Sequence, residues 1–147
     1  MLPKWHAFWG LIFVSLFKFL VPESNYLSLF LIFFASVFID FDHHLATGMK
    51  TKNWSIKHSL RQNYEGRKRI MELKKNKDLC EKGDFHIFHT IEAHLFVGLM
   101  GLLLTPFFFI LIGMFFHSIL DIIWMVRHDL IHAREFFLFN KLRSIFF

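Results

Sequence analysis

The sequence predicts an all-α fold: an integral membrane bundle of about four transmembrane helices, with a basic cytoplasmic loop and an interfacial C-terminal helix. Three observations carry this expectation. Apolar residues make up 54% of the 147 residues, 22 of them Phe, yet charged residues still reach 20%, so apolar and charged material must be segregated into blocks. The apolar blocks have the length of membrane-crossing helices rather than of core strands. Of the 17 Lys and Arg, 11 fall between Lys50 and Lys82 and four more (Arg127, Arg134, Lys141, Arg143) follow the last apolar run. Residues 1–147 are therefore read as a single membrane domain.

The first span is expected over 5–21, interrupted only by His6, Ser15 and Lys18. Pro22-Glu23-Ser24-Asn25 ends it with turn residues. The second is expected over 26–40; at about 1.5 Å per residue it is short for a hydrocarbon core near 30 Å. Residues 43–84 form the basic loop, in which Trp54, Ile56, Leu60, Tyr64 and Ile70 lie among Lys and Arg as in interfacial helices. The third and fourth spans are expected over 85–104 and 106–126, and an interfacial tail over 128–147. The short connections at 22–25 and 105–106 carry no Lys or Arg. The positive-inside rule thus puts both termini and the long loop in the cytoplasm, in a cell or inner membrane. Topology accounts for the basic charge, with anionic lipid headgroups as its partners, and leaves nucleic acid a lower-ranked partner.

Carboxylates and imidazoles are costly in such spans, by roughly 2.5–3.5 kcal/mol per charged residue at a helix centre. This chain nevertheless concentrates them at Asp40-Phe-Asp42-His43-His44, at His86 to His94, and at His117-Ser-Ile-Leu-Asp121, with His128 to His132 a weaker fourth group. The predicted topology brings the first three to one layer near the inner interface. His117 and Asp121, four apart, share a helix face, and His89 and Glu92, three apart, do the same with His86 extending the stripe. His94 turns away from His89 on an ideal helix. Metal ligation is the expected use, with Asp40, Asp42, His43, His89, Glu92, His94, His117 and Asp121 as ligands and Glu92 favoured over His94. His6, His44 and His58 are read as surface or interfacial residues. The single Cys80 excludes an internal disulfide and a multi-Cys zinc site.

Across roughly residues 26–126, the Asp40-Phe-Asp42-His43 segment, the His89 segment with Glu92 and His94, and His117-Ser-Ile-Leu-Asp121 resemble, in order and topology, the motifs of the YdjM-type family. That family is LexA-binding, inner-membrane-associated and assigned as metal-dependent hydrolases, and it is grouped with zinc-dependent phospholipase C and single-strand-specific zinc nucleases. Its His-Arg-x-x-Thr-His-Ser motif corresponds to His89-Thr-Ile-Glu-Ala-His94-Leu, which keeps the His-to-His spacing but not the Arg, Thr and Ser. The resemblance implies a membrane fold, divalent metal (zinc being the expected ion) and hydrolytic chemistry.

The expected reaction is metal-assisted hydrolysis of a phosphoester, with a lipid or lipid-linked substrate favoured by a site at the interface. Asp42 and Glu92 are the catalytic candidates, Asp42 as bridging ligand or general base. Two alternatives stand beside it. One is a non-enzymatic, metal-stabilised membrane scaffold. The other is a membrane di-iron oxygenase, disfavoured because the usual His-x-x-His-His box is absent. The almost wholly apolar outer halves of the spans argue against a transport pathway.

Overall fold

The computed structural model describes residues 3–75, 86–140 and 143. Among them every regular element is helical: α1 (Pro3–Leu20), α2 (Tyr26–Phe38), α3 (Phe41–Thr51), α4 (Ile56–Lys75), a 3₁₀ turn (Ile87–His89), α5 (Ile91–Leu103), α6 (Thr105–Arg127) and a second 3₁₀ turn (Ile131–Ala133). Residues 76–85 of the expected loop, with the first residue of the expected third span, lie outside the described residues, as do 141–142 and 144–147 of the tail.

Local chemistry sets the helix ends. Lys18 Nζ donates to the carbonyls of Pro22 and Ser24 at 2.6 and 2.8 Å, so the lysine that fits a span poorly closes the α1–α2 turn. Asn25 caps α2 by accepting the Ser28 N–H at 2.8 Å. Pro106 opens α6, where its missing N–H costs nothing. Asp129 ends α6 in the left-handed region at φ 53°, with the Leu130 N–H on the Met125 carbonyl at 2.8 Å. The chain thereby turns back along the bundle.

Helices α1 and α2 pack as one hairpin and α5 and α6 as another, and α2 makes the main seam with α6. That seam depends on missing side chains. A Cβ on Gly113 would overlap the Ile32 carbonyl oxygen and approach Ala35 Cβ at 2.8 Å; in the α1–α2 hairpin, one on Gly10 would likewise sit 2.6 Å from Ser36 Oγ. Small residues let the backbones approach, as in membrane helix pairs.

Two helical runs are long and apolar enough to cross a membrane, Tyr26–Thr51 and Thr105–Arg127. The first outlasts the expected 26–40 span: after a tight turn at Ile39–Asp40, closed by bonds such as His43 N–H to the Asp40 carbonyl at 3.1 Å, the chain resumes as α3. The described part of the expected loop is likewise mainly helical, as α3 and α4. α5 is apolar but has only 13 residues, because Thr90 caps it at Ile91. Within the expected tail over 128–147, helix is described from 138 to 140.

Burial is inverted relative to a water-soluble domain. Of the largest side chains that are fully buried, Ile32 is apolar while His6, His117, Thr90 and Ser36 are polar. Large apolar side chains such as Phe19 and Leu102 are about four-fifths exposed, at 79% and 82%. The polar interior is concentrated at one end of the bundle.

Candidate metal centre

The centre is assembled from four parts of the chain: the start of α1, the α2–α3 joint, the 86–90 segment and the second half of α6. His117 projects inward from α6, one turn beyond the Gly113 seam. Its Nδ1 lies 2.8 Å from the Ser36 carbonyl, which can only accept, so Nδ1 carries the proton and Nε2 of the neutral ring keeps a lone pair. His89 is fixed in the same way: its Nδ1 donates to Asp42 Oδ2 at 3.2 Å, leaving its Nε2 as an acceptor.

The two acceptor nitrogens face each other at 3.1 Å. Two lone pairs cannot hydrogen-bond to one another, so this arrangement calls for a cation or an additional proton between the rings. Asp40 Oδ1 lies 3.5 Å from His117 Nε2 and 3.8 Å from His89 Nε2, and Asp121 Oδ2 lies 3.6 and 3.7 Å from the same atoms. Nitrogens bound at ~2.0–2.1 Å to one zinc stand roughly 3 Å apart, so the separation suits shared ligation.

Among the described residues, three overlapping groups have ligand atoms close enough to hold a metal ion: His6, Asp40, His117 and Asp121; Asp40, His43 and His89; and Asp42, His43 and His86. The residues also fit an ion by what they lack. Both ring nitrogens of His6, Asp40 Oδ2, Asp42 Oδ1 and His86 Nδ1 are buried and make no well-aligned hydrogen bond among the described residues, although His6 Nε2 and His86 Nδ1 each stand beside a carboxylate oxygen. Orphaned buried polar atoms of this kind are rare in a finished interior and call for an ion or water.

Of the expected ligands, Asp40, Asp42, His43, His89, His117 and Asp121 come together here. Two do not. His94 is buried apart, its Nδ1 on the Thr90 carbonyl at 2.8 Å and its Nε2 on Ser118 Oγ at 3.0 Å. Glu92 turns to the tail and accepts the backbone N–H groups of Leu138 and Phe139 at 3.0 and 3.5 Å. The expected helical stripe of His86, His89 and Glu92 is broken because Thr90 Oγ1 accepts the Ala93 N–H and starts α5 only after it. His89 ends instead a 3₁₀ turn that the extended His86 precedes, the His89 N–H bonding the His86 carbonyl at 3.4 Å.

His6, expected at the surface, is fully buried. It stacks on His117 with ring centroids 3.8 Å apart and holds Nε2 3.2 Å from Asp121 Oδ1. His86 joins through Asp42 Oδ1 at 3.3 Å. Position along the helices was the signal available for His6: it lies near the start of α1, as Asp121 lies near the end of α6, and the expected topology puts both of those ends on the same side.

Two arginines border the centre. Arg134 Nη1 reaches Asp121 Oδ2 at 3.2 Å after the tail has turned back. Arg67 of α4 lies over the Trp124 ring, 5.0 Å from its centroid. Burial pushes the Arg67 guanidinium down, against the pull of the Asp121 and Asp40 carboxylates. A hollow of about 80 Å³, lined by Pro3, Asp40, His43, Tyr64 and Arg67 among others, connects this side to the exterior. His128, in the weaker fourth group, bonds the Trp124 carbonyl at 2.7 Å and stays outside the cluster.

Fold and centre together define a class: a chain all-helical among its described residues, with two helices long and apolar enough to cross a membrane and a buried His/Asp cluster that could hold a metal ion. Comparison with family models, with curated proteins and with solved structures gives no match.

Proposed function

We propose that this chain is a membrane-embedded, metal-dependent phosphoester hydrolase working at the cytoplasmic face of a four-span bundle. The observation that carries the metal assignment is the pair of acceptor nitrogens, His89 Nε2 and His117 Nε2, held 3.1 Å apart beside two aspartates. The resemblance of the motif order to the YdjM-type hydrolases supports the reaction class. Apolar outer faces around a polar interior support the membrane setting.

In this reading Asp40, His89, His117 and Asp121 hold the ion, with His6 and His43 completing the set. When bound, a zinc-like ion polarises a phosphoryl oxygen and lowers the pKa of a water molecule toward neutrality. The protein does the rest. Asp42 Oδ2 orients His89 and accepts the Phe88 N–H at 2.9 Å, while its Oδ1 faces His86 Nδ1 at 3.3 Å, so both oxygens are turned to the 86–89 segment as a positioning carboxylate. Asp40 turns Oδ1 toward His89 and His117 and holds Oδ2 without a hydrogen bond, 3.8 Å from His6 Nε2, so Oδ2 is the acceptor best placed to take a proton from attacking water. Arg67 and Arg134 supply positive charge at the rim for a phosphate group.

The test is elemental analysis of the detergent-purified protein beside His117→Ala and Asp121→Ala, with hydrolysis measured on a panel of lipid and water-soluble phosphoesters. The expected result is stoichiometric zinc or manganese and metal-dependent turnover in the wild type, both lost in the variants. A wild type without metal, and variants of equal stability, would overturn the proposal. Stoichiometric iron would favour the oxygenase. Bound metal without turnover of any phosphoester would favour the scaffold.

A further inference from the structure

Beside the metal centre lies a second feature that the hydrolytic reading leaves unused. A cleft of about 480 Å³ runs between α5 and α6. Its α5 wall is built from Ile91, Leu95, Gly98, Leu99 and Leu102, and its α6 wall repeats the same spacing from Leu111 to Ile122. Steps of four, three, one and three residues trace one face of each helix. From Ile91 to Leu102 that face is roughly 16 Å long. The volume lies within the ~300–1,000 Å³ of small-molecule sites, but the shape is that of a channel open along one side, where Leu95, Leu99 and Leu102 are mostly exposed.

The two ends of the channel differ. At Leu102 it runs out among apolar side chains that are largely exposed. At the other end stand His89, which is a member of the metal centre, and Arg134, whose guanidinium reaches Asp121. The polar pair along its length, His94 and Ser118, is already satisfied by a mutual bond of 3.0 Å. Gly98 keeps the middle open: a Cβ there would meet only Leu111 Cδ2, at an ordinary 3.5 Å. A long apolar channel whose one cationic end abuts a phosphoester-cleaving centre matches a hydrocarbon chain with an anionic phosphate at its head. The geometry points to the α5–α6 cleft as the binding site for the acyl or prenyl chain of a lipid phosphoester, with Arg134 at the phosphate end. This rests on the hydrolase reading for the identity of the headgroup, but the chain site can be tested without turnover.

The probe is a phosphatidic acid with a photoreactive diazirine in mid-chain, in phosphatidylcholine vesicles containing the full-length protein. Cross-linked peptides are mapped by mass spectrometry. Labelling is expected to concentrate on α5 and α6 over the outer faces of α1 and α2. Unlabelled phosphatidic acid should compete, whereas inorganic phosphate and diacylglycerol should compete at least about tenfold less well, since each lacks one half of the ligand. Gly98→Leu, which fills the channel, should cut labelling by about tenfold, and Leu99→Asn, at an exposed position, provides a second variant that leaves helix packing in place. Arg134→Gln should erase the preference for phosphatidic acid over diacylglycerol.

Uniform labelling of all outward helix faces, insensitive to Gly98→Leu and Leu99→Asn, would overturn the inference as ordinary boundary lipid. So would an inter-chain disulfide through Leu99→Cys that excludes the probe, because a second copy would then fill the cleft. The two readings fail separately. Cleft labelling that persists in a wild type without metal or turnover removes the hydrolase and keeps the chain site. Turnover of lipid and water-soluble phosphoesters alike, with uniform labelling, does the reverse.

Discussion

His89 and His117 each spend one ring nitrogen on a fixed acceptor, and that commitment determines what the other nitrogen can do. The Ser36 carbonyl and the Asp42 carboxylate set the tautomers, so the chemistry of the centre depends on residues that need not touch the ion. Asp42→Asn should therefore weaken metal binding by about 10–100-fold while leaving helix content unchanged, measured by metal titration and circular dichroism. Affinity equal to wild type would mean that Asp42 does not orient His89. Glu92→Gln makes the opposite prediction. Its carboxylate anchors Leu138 and Phe139, so bound metal should be retained while protease cleavage near residues 134–140 becomes faster. Loss of metal in that variant would return Glu92 to the ligand set. His6→Ala, by contrast, should lose metal affinity although the residue lies far in sequence from its partners Asp40 and Asp121.

The element that matters most is the α2–α6 seam, since it sets how far His117 stands from Ser36 and Asp40. Gly113→Ala forces a methyl group against the Ile32 carbonyl and Ala35, and overpacking of this kind costs about 1–3 kcal/mol. The expected outcome is a lower unfolding midpoint together with weaker metal binding, because His117 is one turn away on the same face. The 86–90 turn is the second such element. Thr90→Ala removes the cap of α5, worth ~1 kcal/mol, and loosens the turn that aims His86 and His89. Its sequence signal was modest: a Thr before an apolar run marks an N-cap as readily as it continues a helix. Reading the run through from Phe85 placed Glu92 on a ligand stripe, whereas the cap rotates it toward the tail.

Across the whole molecule, the inverted burial and the gathered basic residues make a joint prediction about topology. In a Cys80→Ser background, Glu23→Cys should react with a membrane-impermeant thiol reagent from outside, and Asn53→Cys only in inverted vesicles; the reverse pattern would invert the proposed orientation. A bound ion would also link the four parts of the chain that form the centre. Chelation should lower the unfolding midpoint, and adding zinc at about 100-fold over Kd should restore about 2.7 kcal/mol, as read by thermal unfolding in detergent. No shift in midpoint would mean that the ion does not bridge the helices.

The sequence by itself determined the helical class, the segregation of apolar from basic segments, and the identity of Asp40, Asp42, His43, His89, His117 and Asp121 as polar residues too costly to bury separately. These follow from composition and short spacings, which act within one helix or across one interface. It did not determine that His6 is buried on His117, that Glu92 serves the tail, or that Arg134 returns to Asp121. Those depend on a Thr cap, a left-handed Asp129 and two glycine-lined contacts, which fix rotations between segments that local periodicity does not constrain. Only the tertiary structure decided which lone pairs meet, because ligand geometry is set by the orientation of one helix against another.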